Sequence, residues 1–118
     1  MTYEDFKTYP LQISGINDSY NSELTAIEAL VKSEIEYSGN DEEIKNVLPY
    51  FVFFKFCENK GSEVSATLGE NVTVAETTQP TYEKMVRAWN IGAKMLNAIC
   101  TEKGTTASKY YLSKISFL

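Results

Sequence analysis

The stretch Val47–Gly61, VLPYFVFFKFCENKG, decides what kind of fold this chain forms. Between Tyr50 and Cys57 only Lys55 is polar. From Val47 to Cys57 the block is about half of the ~20 residues that a membrane-spanning helix requires, and Lys55 interrupts it, so it indicates a buried helix segment instead. On a helix, its apolar side chains cover an arc that is too wide for one neighbouring element. The block therefore predicts a helix that is packed on more than one side.

The residues just before this block predict where the second helix begins. Gly39 favours a left-handed cap that ends a preceding helix, and Asn40 or Asp41 can cap the next one. Pro49 conflicts with a continuous second helix, because a proline inside a helix removes a backbone hydrogen bond. We expect either a bend at Pro49 or two short helices that meet there.

Two further helices flank this segment. The first starts at Tyr20, and its apolar stripe recurs at helical spacing through Leu24, Ile27, Val31 and Ile35. The third runs from about Pro80 to Lys103, and Gly104 is its expected C-terminal cap. Its apolar face predicts that Trp89 and Leu96 are buried against the first helix. Gly92 on that face predicts close approach of another helix.

The rest of the chain predicts a loop and an arm. Residues 62–79 alternate apolar and polar side chains around turn residues, which favours an extended loop or loose hairpin. The fold class is therefore mainly α, with three main helices, a helical domain at residues 1–108 and a C-terminal arm at residues 109–118. The apolar arm either completes the chain's own core or reaches a partner, because exposed chain ends are usually polar.

Composition narrows the function classes. The 118 residues suit one domain, and 16 acidic against 11 basic residues give a net charge of −5, which argues against binding nucleic acid or an anionic membrane. Cys57 and Cys100 are expected to be buried, reduced thiols in a cytosolic fold, since no signal peptide is recognisable.

Catalytic chemistry is not indicated by the sequence. There is no histidine, no phosphate-binding glycine loop and no activated serine or cysteine motif. We therefore expect no enzyme, no cofactor and no metal site. A small enzyme would need perturbed carboxylates, for which Glu23, Glu28 and Glu34 are the candidates.

Two segments carry a family resemblance. GINDSYNSELTAIEALVKSEIEYSGNDEEIKNVLPYFVFFKF (residues 15–56), an extended loop, and TYEKMVRAWNIGAKMLNAI (residues 81–99) follow one another in the order seen in small head–tail connector, or adaptor, proteins of tailed phages. The first helix of that family ends near a pattern similar to Ile35, Glu36, Tyr37 and Gly39. The chain thus resembles this family in helix order and apolar pattern.

The resemblance implies a structural role in the virion. The chain would form a homo-oligomeric ring, by resemblance a dodecamer, beneath the portal protein at the head–tail interface, after assembly in the host cytoplasm. The ring would extend the DNA channel without specific DNA binding or a membrane, and it would carry the tail or stopper protein. The alternative is a small cytosolic helical module for protein interaction or regulation.

Candidate contact residues follow from the resemblance and from surplus apolar surface, because monomers rarely leave large apolar patches exposed. The predicted portal or partner contacts are Tyr110, Tyr111, Leu112, Ile115, Phe117 and Leu118. The predicted subunit contacts are Tyr50, Phe53, Phe54, Phe56, Val64, Leu68, Val72 and Val74.

Overall fold

The structure is a computed structural model that describes the backbone of residues 20–68 and 73–115 and the side chains of residues 20–59 and 83–115. These residues form four α-helices and one 3-10 helix, and no strand is present among them. In chain order the elements are α1 (Asn21–Ile35), the 3-10 helix (Asp41–Ile44), α2 (Leu48–Leu68), α3 (Thr73–Lys103) and α4 (Lys109–Leu112). The predicted mainly helical bundle with three main helices is therefore confirmed.

The core is centred on α2, which packs against both α1 and α3. The predicted stripe of α1 is buried, and so are Trp89 and Leu96 on α3. The rings that pack on Trp89 belong to α2 and the C-terminal segment. Because α2 rather than α1 is the main helical neighbour of α3, the expected neighbour is corrected. Each fully buried apolar side chain contributes about 1.5–3 kcal/mol. From α2 the core takes Leu48, Phe51, Val52, Phe53, Phe54, Phe56 and Cys57.

The predicted second helix is two elements, the 3-10 helix and α2, separated by a turn at residues 45–47. Pro49 lies in the first turn of α2, where a residue without an N–H group leaves no helical hydrogen bond unmade. The Tyr50 N–H donates to the Val47 carbonyl at 3.1 Å. The sequence left two alternatives at Pro49, a bend or two helices. The structure shows two helices that meet near this proline.

The end of α1 differs from the prediction. The left-handed residue is Glu36, with φ 52° and ψ 43°, and Gly39 has no positive φ. The prediction of a left-handed cap at Gly39 is therefore wrong, because α1 ends before reaching it. Gly39 is instead required for space, since a Cβ there would lie 2.5 Å from Glu43 Oε1 and 2.7 Å from the Tyr37 ring.

A capping box fixes the start of the 3-10 helix, as predicted for Asn40. The Asn40 side chain accepts from the Glu42 N–H at 2.9 Å, and the Glu43 carboxylate accepts from the Asn40 N–H at 3.1 Å. The hydroxyl of Tyr37 donates to Glu43 and, with the Asn40 N–H, holds the pKa of that carboxyl below its usual range. Lys103 lies 3.5 Å from the same carboxylate, so this corner is joined to the end of α3.

Two glycines act on α3 as predicted. A Cβ at Gly92 would lie 3.1 Å from the Phe51 ring and 3.2 Å from the Tyr50 Cβ, so glycine permits the close approach of α2. Gly104 has φ 66° and follows the last helical residue, Lys103, which is the geometry of a C-terminal glycine cap.

The extended loop predicted for residues 62–79 is contradicted at residues 62–68 and 73–79, while residues 69–72 lie outside the described part of the chain. Residues 62–68 continue α2 and residues 73–79 begin α3, so α3 starts before Pro80 rather than at it. The alternation in this segment is short, and β-propensity is easily overridden by context. Extending an existing helix also adds one hydrogen bond for each residue fixed.

The two thiols differ in accessibility. Cys57 is buried in α2, and burial raises the pKa of its thiol to about 12, whereas Cys100 is partly exposed. Because the thiolate is the nucleophile and an ordinary thiol has a pKa of about 8.5, we expect iodoacetamide to label Cys100 in the folded protein and to spare Cys57. Peptide mass spectrometry measures this, with denatured protein as the control in which both react. Equal labelling of both thiols in folded protein would contradict the structure.

Candidate interaction surface

The C-terminal segment lies on the chain's own core between residues 109 and 115. Tyr111, in α4, is only 1% exposed. Its ring centroid lies 4.8 Å from that of Phe51 and 5.0 Å from that of Trp89. Of the two alternatives for the arm, docking on the core is therefore observed for these residues. Residues 116–118 lie outside the described part of the chain.

Hydrogen bonds from α3 side chains hold this segment in place. Trp89 Nε1 donates to the Ser113 carbonyl at 2.8 Å. Asn90 forms a reciprocal pair with Ile115, donating to its carbonyl at 2.9 Å and accepting from its N–H at 2.7 Å. Asn97 donates to the carbonyl of Leu112 at 2.9 Å. These bonds fix a backbone that has little helical structure of its own, so the segment acts as a strap across α3.

The sequence analysis did not identify Asn90 and Asn97 as functional residues. The signal available was their spacing of seven residues, which puts two amides on the same side of a helix. Amides can both donate to and accept from a neighbouring backbone, so such a pair is suited to holding an extended segment.

The strap is tied to α1 through Tyr111 and Glu34. The Tyr111 hydroxyl donates to the Glu34 carboxylate. Burial is the main cause that raises the pKa of Tyr111, and this hydrogen bond raises it further. Lys55 Nζ, from α2, lies 3.9 Å from the same carboxylate and 5.5 Å from the centre of the Tyr110 ring. Side chains from α1, α2 and α4 thus meet at one place on the surface.

Two large exposed side chains flank this place. Tyr110 is 57% exposed, although its ring packs at 5.1 Å against Trp89. Leu30 is 50% exposed and precedes Glu34 by one helical turn on the same side of α1. We call the surface formed by Leu30, Glu34, Lys55 and Tyr110 the Leu30–Tyr110 patch.

The residues predicted to contact a partner differ in how far their side chains are exposed. Tyr110 is exposed, Tyr111 is buried, and Leu112 and Ile115 are half-buried against the core. Phe117 and Leu118 lie outside the described residues. Only Tyr110 therefore offers a large exposed ring among the described members of this set.

The residues predicted to contact neighbouring subunits lie mostly on α2. Phe53, Phe54 and Phe56 are buried within the chain, and Tyr50 is half-buried. Side chains this deeply buried reach a neighbour only if α1 or α3 moves away. The remaining members lie in helical backbone or outside the described residues, namely Val64 and Leu68 in α2, Val74 in α3, and Val72 outside.

No protein-family model, curated protein or solved structure matches this chain. What this surface can bind is therefore inferred from its own residues. Within residues 20–68 and 73–115, no helix is long and apolar enough to cross a membrane. The same residues hold no group of three or more histidine, cysteine, aspartate or glutamate side chains arranged to bind a metal ion.

Proposed function

We propose that this chain is a structural adaptor that works through protein contacts, and specifically a head–tail connector of a tailed phage. It would form a ring beneath the portal, extend the DNA channel and carry the tail or stopper protein. The observation that supports this most is the Leu30–Tyr110 patch, in which two large exposed side chains from α1 and α4 flank Glu34 and Lys55. The resemblance in helix order supplies the phage context.

The composition of the patch fits a protein partner. Tyrosine is enriched among the residues that dominate binding energy, because its ring offers a large contact area at a low cost in conformational entropy. Tyr110 is already ordered by its ring contacts with Trp89 and Tyr111. Glu34 and Lys55 supply charges beside it. A preordered surface of this kind loses little freedom on binding.

The charge balance fits a DNA conduit in this proposal. A chain with a net charge of −5 repels the phosphate backbone, so a duplex would pass through the ring without adhering to it. In this proposal the patch would contact the portal, whereas the acidic chain would repel the DNA rather than bind it.

The patch gives a direct test of binding to a phage portal protein. We expect the double variant Leu30→Ala, Tyr110→Ala to bind the portal about 10-fold more weakly or worse, which corresponds to ~1.4 kcal/mol. Both side chains are exposed, so circular dichroism should show an unchanged fold. Co-sedimentation with purified portal measures the binding.

A matched control lies on the same helix as Tyr110. Lys109→Ala changes an exposed neighbour outside the patch and should bind portal like the unaltered chain. Normal portal binding by the double variant would contradict the proposed role of the patch. A helical regulatory module, the alternative function, would run as a monomer or dimer and bind no portal.

A further inference from the structure

The exposed face of α3 carries a line of basic residues. Lys84, Arg87, Ile91 and Lys94 recur at intervals of three or four residues, so they lie along one side of the helix. All four are exposed, and Ile91 is 36% exposed. This side is opposite to Gly92, which faces α2. We call it the basic ridge, and its length is about 15 Å at 1.5 Å per residue.

The basic ridge contrasts with the rest of an acidic chain. Residues 83–103 contain four basic and two acidic residues, a net charge of +2. Residues 20–44 contain one lysine and seven acidic residues, a net charge of −6. None of the three basic side chains of the ridge forms an ion pair within the described residues. The chain is therefore electrically polarised, although Glu83 lies one helical turn before Arg87 and is an acidic neighbour of the ridge.

An exposed acidic surface lies at the corner between α1 and the 3-10 helix, where Lys45 pairs with one of its carboxylates, that of Glu42, at 3.5 Å. Glu36, Asp41 and Glu42 are exposed there. We call these three residues the acidic corner. Glu36 combines two local disadvantages, a left-handed backbone and a negative charge at the carboxyl end of a helix. A residue that opposes local stability in two ways indicates a requirement from outside the local fold.

The acidic corner cannot reach the basic ridge of the same chain. The corner is joined to the end of α3, where Glu43 pairs with Lys103 and the Ser38 N–H donates to the Thr106 carbonyl at 2.9 Å. Lys103 follows Lys94, the nearest basic residue of the ridge, by nine residues, or about 13 Å along the helix. The two surfaces can therefore meet only between different molecules.

We infer that the basic ridge of one copy binds the acidic corner of a second copy. Charge complementarity selects this occupant, because the corner offers the carboxylates of Glu36 and Asp41, beside the Glu42–Lys45 pair, to three cationic side chains. Ile91 supplies an apolar contact in the middle of the ridge. The contact uses different surfaces on the two copies, so it is head-to-tail and closes into a ring or continues as a filament. This inference rests on the proposed assembly of the chain and names the surfaces that make it.

An exposed ionic contact of this kind responds to salt. The distance over which charges act falls from about 10 Å at 0.1 M salt to about 3 Å at 1 M salt. Self-association should therefore weaken as salt is raised, which sedimentation velocity detects as a shift towards the monomer. An apolar interface would be unaffected or strengthened by the same change.

Two charge-reversed proteins test the pairing. The ridge variant carries Lys84→Glu, Arg87→Glu and Lys94→Glu, and the corner variant carries Glu36→Lys, Asp41→Lys and Glu42→Lys. Each variant alone opposes like charges, so each should remain monomeric at concentrations where the unaltered chain assembles. An equal mixture restores opposite charges at every contact and should assemble again, which also shows that both variants are folded.

The possible outcomes are distinguishable. If the unaltered chain assembles and either variant assembles equally well alone, the ridge–corner contact is overturned while assembly itself stands. If both variants are monomeric alone and also remain monomeric when they are mixed, the ridge–corner pairing is overturned as well. If the unaltered chain stays monomeric up to about 1 mM, a concentration at which even weak specific contacts form, the ridge–corner contact is overturned. The proposed ring is then decided separately, by whether the chain forms rings on the portal.

Discussion

Replacing Trp89 with alanine is expected to lower the free energy of unfolding by about 3–5 kcal/mol. The indole ring packs within 4.8 Å, centre to centre, of both Phe51 and Phe54 and within 5.0 Å of Tyr111. Its removal leaves a cavity where α2, α3 and the strap meet, and it also removes the hydrogen bond to Ser113. Urea unfolding followed by circular dichroism measures the loss.

A conservative variant separates packing from hydrogen bonding at this site. Trp89→Phe keeps an aromatic ring but has no N–H for Ser113, so it should cost less than the alanine variant. If Trp89→Ala lowers the free energy of unfolding by less than ~0.5 kcal/mol, within the usual range for a surface substitution, the residue is not at the centre of the core.

Removal of residues 109–118 is expected to be at least as damaging. The truncation deletes the buried ring of Tyr111. It thereby exposes Trp89 and Phe51, because the Tyr111 ring packs on both. The loss of one such ring alone costs about 3–5 kcal/mol, a large part of the roughly 5–15 kcal/mol that holds a domain together. The truncated chain should therefore lose its cooperative thermal transition. A free assembly arm would instead leave the three helices folded, which is what the arm hypothesis predicts.

Adjacent tyrosines provide a matched pair of controls for the truncation. Tyr111→Ala should reproduce most of the destabilisation, whereas Tyr110→Ala removes a ring that is largely exposed and should cost far less. Tyr111→Phe retains the ring and loses only the hydrogen bond to Glu34, at a cost of about 1–2 kcal/mol. A truncated chain as stable as the full chain would show that the strap adds nothing to the core.

Periodic patterns predicted the core well because helical spacing does not depend on what the helix packs against. The stripe from Leu24 to Ile35 and the face around Trp89 are both buried as the spacing requires. Local backbone choices were harder to predict. Glu36 adopts a left-handed conformation that its residue type disfavours, and residues 62–68 and 73–79 follow helix extension rather than the alternating pattern.

The candidate surface could be predicted only in part. An apolar chain end predicts docking, but the sequence does not say on what, because Tyr111 and Glu34 are separated by 77 positions. Tyr110 and Tyr111 are the same residue type at adjacent positions. Only the direction of each side chain from α4 decides that Tyr110 is exposed and Tyr111 is buried. The Leu30–Tyr110 patch therefore required the tertiary structure.

Assembly into a ring is the central proposal for this protein, and negative-stain electron microscopy of the purified full chain tests it most directly. The sample should be imaged at low salt, with and without a phage portal protein. The proposal predicts closed rings of uniform diameter, either alone or seated on the portal. Single, unassociated particles under both conditions would contradict it.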